Sequence, residues 1–177
     1  MTPRVKRVVI IGAESTGKTT LARALAEHYR TAWVPEFGRF YTEARQYRGE
    51  RWRSEEFTFI AIEQARTEDA LAEIANRVLL CDTDPFATAI WHERYLGTPS
   101  DAVLRVAAGR SYDLYVVTDV NTPFEQDDIR DGESIRVWMH TRFLDELSKM
   151  AVPTIVVSGA HEERLATAMR RIDDLLR

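Results

Sequence analysis

Gly12, Gly17, Lys18 and Thr19 fill the spacing G-x-x-x-x-G-K-[ST] within the run Gly12-Ala13-Glu14-Ser15-Thr16-Gly17-Lys18-Thr19. An apolar stretch, Val8-Val9-Ile10-Ile11, comes directly before it. A helical pattern with Leu21, Ala22, Leu25 and Ala26 on one face follows. A strand feeding a glycine loop that opens a helix turns backbone N–H groups toward one point at a positive helix end. That cup takes phosphate. Lys18 can reach the outer phosphates, and the Thr19 hydroxyl can hold Mg²⁺. The candidate nucleotide contacts are Gly12, Glu14, Ser15, Thr16, Gly17, Lys18, Thr19 and Thr20. A glycine turn with no ligand is the plain alternative, and the flanking strand and helix argue against it.

Acids stand at two further places where apolar runs end. Glu36 follows Ala32-Trp33-Val34-Pro35, and Asp82 and Asp84 follow Val78-Leu79-Leu80-Cys81. Phosphoryl transfer needs an acid for Mg²⁺, a group that orients or deprotonates the attacking hydroxyl, and cations for the charge in flight. Asp82 suits the metal, with Thr19. Glu36 and Asp84 are candidates for the acceptor hydroxyl. Asp84 also precedes Pro85, which suits a helix cap. Arg39, three residues beyond Glu36, can enter the same cleft or pair with an acid. The polar stretch from Asn121 to Gly132 has the character of a lid, spanning about 121–136. Arg130 would stabilise transition-state charge there, with Arg136 as its alternate and a solvated loop as the other possibility. Phe37, like its neighbours Trp33, Phe40 and Tyr41, can stack on a flat or cationic ring or pack in the core. Trp52, Trp91 and Trp138 read as packing residues. The four histidines show no metal-binding spacing.

These residues need elements to hold them. The pattern predicts strands over Val5–Ile11, Ala32–Val34, Arg77–Asp82, Leu114–Thr118 and Pro153–Val157. Helices are predicted over Lys18–Tyr29, Gly38–Gln46, Ser54–Ala75, Phe86–Leu96, Ser100–Gly109, Glu133–Met150 and His161–Arg177. Short apolar strands alternating with helices imply an α/β fold, a five-stranded parallel sheet covered on both faces. Ligands of such sheets bind beyond the carboxyl ends of the strands. The glycine loop, Glu36, Asp82 and Asp84 therefore share one cleft.

Composition narrows the classes. A length of 177 residues suits one domain with a full core. Lys and Arg number 24 against 28 Asp and Glu, so the net charge is −4, which argues against nucleic acid as a partner. The single cysteine, Cys81, excludes an internal disulfide and sits in a strand, where a buried thiol is expected. No secretory leader or membrane-length apolar run is visible. These features point to a cytoplasmic protein with no membrane partner. Oligomeric state is not legible.

Over nearly its whole length the chain resembles the ribosylnicotinamide kinase family, P-loop kinases of NAD salvage. The resemblance rests on Gly12 to Thr19, on Glu36-Phe37-Gly38-Arg39, on Asp82-Thr83-Asp84, and on Asp127 to Arg130 before a helix. It implies a three-layer P-loop kinase fold of sheet order 2-3-1-4-5. It also implies transfer of the γ-phosphoryl group of ATP, with Mg²⁺, to the 5′-hydroxyl of nicotinamide riboside, giving nicotinamide mononucleotide. Carried over by position, Lys18 and Thr19 hold phosphate and metal. Glu36, Asp82 and Asp84 surround metal and riboside, with Phe37, Arg39 and Asp127 on the substrate side and Arg130 in the lid. The chain departs from the family at Pro35, where an aromatic helps hold the nicotinamide ring, and at Asp128, where glycine is common. With no H-x-G-H motif and no room for a nucleotidyltransferase domain, it would catalyse only the phosphorylation. Another nucleoside or metabolite kinase, or a nucleotide-sensing module without turnover, would use the same cup. A GTPase switch is disfavoured, because Asp82-Thr83-Asp84-Pro85 has proline where D-x-x-G needs glycine.

Overall fold

Each central strand sorts its residues by parity. In β1 (Lys6–Ile11), Val9 and Ile11 face one side of the sheet, and Val8 and Ile10 face the other. The same alternation runs through β3 (Val78–Asp82) and β4 (Leu114–Thr118), both fully buried. Apolar residues at every position are what a strand buried on both faces requires. The computed structural model describes residues 4–45, 50–120 and 133–177. Its sheet is completed by β2 (Trp33–Val34) and β5 (Thr154–Val157) in the order β2-β3-β1-β4-β5. Every paired strand is parallel. The expected order 2-3-1-4-5 is the one observed.

Seven helices among the described residues make the outer layers. Helices α1 (Lys18–Tyr29) and α7 (His161–Leu176) cover the Val8/Ile10 face through Leu21, Leu25, Ala168 and Ile172. The Val9/Ile11 face takes α4 (Pro85–Leu96) and α6 (Glu133–Leu147), through Phe86, Ile90, Met139 and Phe143. Helix α3 (Ser54–Ala72) packs on α4 and α5 (Asp101–Ala108), where Phe57, Ala61, Ala89 and Val103 form a smaller core. Helix α2 (Phe37–Arg45) packs on α3 and buries none of its own residues.

Helix α3 ends three residues short of the predicted Ala75. The Asn76 amide binds Tyr29 O at 3.0 Å, and the Asn76 N–H binds Thr31 Oγ1 at 2.7 Å. These bonds draw the chain off the helix axis and into β3. Ser54 is the first helical residue, and Glu56 caps the start by accepting the Arg53 N–H at 2.8 Å. Cys81 is buried as expected, and burial pushes its thiol well above the ordinary range.

No helix among the described residues is long and apolar enough to cross a membrane.

Candidate active site

The glycine loop leaves β1 at the centre of the sheet, flanked by the ends of β3 and β4. Register places Ile10 beside Asp82 and Ile11 beside Val117. Gly12 runs so close to β4 that an added Cβ would lie 2.2 Å from Thr118 Oγ1 and 2.9 Å from Thr118 O. Only glycine fits there. Gly12→Ala is expected to cost about 2 kcal/mol and to weaken Mg-nucleotide binding together with stability. Thermal melting with and without a non-hydrolysable ATP analogue checks both.

The Thr16 hydroxyl is turned inward. It donates to Ala13 O at 2.8 Å and pairs with Thr118 Oγ1 at 2.6 Å. Gly17, in the left-handed region at φ 81, precedes α1. Lys18 is 7% exposed, and its ammonium donates to Ala13 O at 2.8 Å. Ser15 is left-handed at φ 55, and Thr20 is exposed on the first turn of α1. Glu14, grouped from sequence with the nucleotide contacts, lines the neighbouring cavity together with Ser15 and Lys18.

Thr19 donates to Asp82 Oδ2 at 2.5 Å, and Asp82 Oδ1 is buried with no hydrogen-bond partner among the described residues. A hydroxyl and a carboxylate, one oxygen of it unused, suit a hard divalent cation whose other positions are filled by water and phosphate. No cluster of three or more His, Cys, Asp or Glu among the described residues offers a second place for a metal. Burial raises the Asp82 carboxyl above its ordinary range, while Lys18, the Thr19 hydroxyl and Arg39 pull it down. Half-buried Glu36 is also raised. Desolvation is the largest cause, Lys18 and Arg39 oppose it, and Asp82 and Glu14 add to it.

Beside Lys18 opens a cavity of about 260 Å³. Glu14, Glu36 and Glu43 line it with Arg39, and Trp52, Trp91 and Tyr95 form an aromatic wall. The wall is fixed from behind. The Arg45 guanidinium sits 4.3 Å from the Trp52 ring centre and is tied to Glu56 at 2.8 Å. Trp91 and Tyr95 stack at 6.1 Å.

Several expectations take a different form here. Asp84 lies beneath the cleft, fully buried and outside the cavity lining. Its Oδ1 accepts the Ala87 N–H at 2.8 Å, capping α4, and its Oδ2 accepts the Tyr115 hydroxyl at 2.6 Å. With both oxygens engaged it holds the start of α4 to β4 in this structure. Phe37 packs edge-on against Phe59 at 5.8 Å and does not line the cavity. Trp52 and Trp91, read as packing residues, do line it. Arg136 is 2% exposed on α6. Asp127, Arg130 and the lid as far as 132 lie outside the described residues.

Two residues of the site went unread in the sequence. Arg164 donates to Thr16 O and Gly159 O, both at 2.8 Å, joining the glycine loop to the turn after β5. Gln64 binds the strand ends that carry Glu36 and Asp82.

Behind Asp84, Glu68 is fully buried, accepts the Tyr112 hydroxyl at 2.9 Å and pairs with Arg110 at 2.9 Å. Desolvation, with the nearby Asp84 charge, lifts its carboxyl from the ordinary 4.5 to about 7, against the pull of Arg110. A carboxyl raised in the folded state makes folding take up a proton. Its stabilising contribution is full below about 4.5 and is lost as pH rises through about 7. Melting temperature is therefore expected to fall across that window, with a smaller slope in Glu68→Gln. Thermal melts at stepped pH compare the two.

Fold and site together define a P-loop nucleotide-binding protein. The model of the AAA domain family (AAA_28) matches residues 7–164, and the chain belongs to that family. The trifunctional NAD biosynthesis/regulator protein NadR of Salmonella typhimurium is 31% identical over 133 residues, which is 74% of this chain and 32% of NadR. The chain thus spans about a third of that curated relative. A crystal structure of NadR in complex with NR superposes with a TM-score of 0.82 at 21% identity, over 97% of this chain and 51% of that one. Thymidylate kinase from Ehrlichia chaffeensis gives 0.67 at 14% identity, over 99% and 100%. These likenesses establish a kinase-like P-loop fold and agree with the resemblance read from the motifs.

Proposed function

We propose that this chain is a small-molecule kinase that transfers the γ-phosphoryl group of ATP to the 5′-hydroxyl of a nucleoside-like acceptor, with nicotinamide riboside as that acceptor. We read residues 1–177 as one nucleoside-kinase-like domain, acting in the cytoplasm. One observation carries the reading. The cavity that opens at Lys18 and Glu36 combines an aromatic wall with more carboxylates than cations. A flat ring bearing positive charge gains from both features. The likeness to NadR, whose structure holds NR, supports the same acceptor.

In this reading the glycine loop holds the triphosphate, and Lys18 meets the charge on the phosphoryl group in flight. Glu36 takes the proton of the acceptor hydroxyl as its oxygen bonds to γ-phosphorus. The bond from γ-phosphorus to the β–γ bridging oxygen breaks, and ADP leaves. Mg²⁺, held by Asp82 and Thr19, would supply charge neutralisation at the phosphates. Arg39 lies in the same cleft, and Arg130 is proposed for the lid.

Trp91→Ala and Trp52→Ala should each raise the acceptor KM about tenfold and leave the ATP KM within about twofold. Steady-state kinetics with nicotinamide riboside, adenosine, uridine and deoxycytidine test this. A preference for the cationic ring that vanishes in the Trp variants supports the reading. A wild-type enzyme indifferent to ring charge contradicts it.

A further inference from the structure

We infer that Gln64 is a positioning residue, a staple that holds the two acid-bearing strand ends in register where the sheet can no longer do so. The pairing of β2 with β3 ends at Val34 and Cys81. The residue after β2 is Pro35, which has no N–H to continue the ladder. Glu36 and Asp82 therefore lie just beyond the last β2–β3 pair, with Asp82 held on its other side to Ile10 of β1.

The Gln64 side chain fills that gap. It comes from α3 and is 1% exposed. Its Oε1 accepts the Phe37 N–H at 2.9 Å. Its Nε2 donates to Asp82 O at 3.4 Å and Thr83 O at 3.3 Å. One donor and two acceptors face it, so the orientation of the amide is dictated by its neighbours. The bond to Phe37 also satisfies a first-turn N–H of α2, a helix with no buried residue of its own to fix it.

Thr83 sits between Asp82 and Asp84 at φ 65, a conformation that disfavours a β-branched residue. Two contacts hold it there. Its N–H donates to Ile10 O at 2.9 Å, and its carbonyl accepts from Gln64. Without the amide, Thr83 can relax and carry Asp82 with it, while Glu36 swings with the start of α2.

This inference rests on the kinase reading for its activity readout, and a second readout is independent of it. Gln64→Leu is expected to lower kcat about 20-fold, with the Mg-ATP KM within about threefold. Amide exchange of the segment 36–41, followed by mass spectrometry, should speed up at least about tenfold. Adding Thr83→Gly removes the backbone strain, so the double variant should recover at least about fivefold of the lost kcat. Gln64→Asn, which keeps the amide but is too short to span the gap, should show the same pattern if the Leu variant folds poorly. Unchanged exchange at 36–41 in either variant overturns the staple, whatever the catalytic result. A loss confined to the acceptor KM, with no recovery from Thr83→Gly, overturns it in favour of direct acceptor contact. If the wild type transfers phosphate to no acceptor, the kinase reading fails, and the exchange measurement alone decides the staple.

Discussion

Lys18→Met is expected to lower kcat about 10³-fold while the protein stays folded. The lysine side chain lies nearly buried at the mouth of the glycine loop, with its ammonium on Ala13 O. A charge at a dry site acts more strongly on a phosphoryl group than the same charge in water. Methionine keeps the stem and removes the charge. Its one structural cost is the loss of one of two bonds to Ala13 O, which keeps the Thr16 hydroxyl, about 1 kcal/mol by the usual worth of such a bond. Stability should therefore move little compared with the rate. Single-turnover kinetics alongside a thermal melt separate the two. Activity within tenfold of wild type would remove Lys18 from the transition state.

Glu36→Gln carries the second large effect, a loss of about 10²-fold in kcat with Mg-ATP affinity nearly unchanged. Glutamine has the same shape but cannot take a proton. Burial raises the Glu36 carboxyl, which makes it a better proton acceptor once ionised, and Lys18 keeps the ionised form accessible. Asp84 shows the contrast. Both of its oxygens are already bonded, to Ala87 and Tyr115. Asp84→Asn should therefore act mainly on stability, through the cap of α4. A Glu36→Gln enzyme that keeps its rate, beside an Asp84→Asn enzyme that loses it without melting earlier, would reverse the roles assigned to the two acids.

The nucleotide half of the site was legible because its parts are contiguous. Strand, glycine loop and helix lie within one short stretch, and the spacing of Gly12, Gly17, Lys18 and Thr19 follows from the shape of phosphate. The central strands β1, β3 and β4 were equally plain, since a strand buried on both faces leaves an apolar run; β2 and β5 are edge strands, shorter and less buried. Strand ends then placed Glu36 and Asp82 in one cleft without further information.

The acceptor half is built across distance, and its signals are faint. Trp52 precedes α3 and Trp91 lies within α4, and nothing local tells a tryptophan that lines a cavity from one that fills a core. Gln64 did leave a trace. With Phe57, Ile60, Ala61 and Glu68 it shares the buried stripe of α3, where polar residues have no place unless they are bonded. Arg164 left none, because its partner Thr16 is 148 residues away. Asp84 was legible as a cap or as a site residue, and its bond to the Tyr115 hydroxyl, on β4 across the sheet from β3, had no local signal.

Phosphoryl transfer to a riboside with a cationic ring is the proposed reaction. Its most direct test is mass spectrometry of wild-type protein incubated with Mg-ATP and nicotinamide riboside. The expected result is one phosphorylated riboside per ADP formed, and no such product from Lys18→Met. ADP formed without a phosphorylated riboside, or phosphate appearing only on neutral nucleosides, would contradict it.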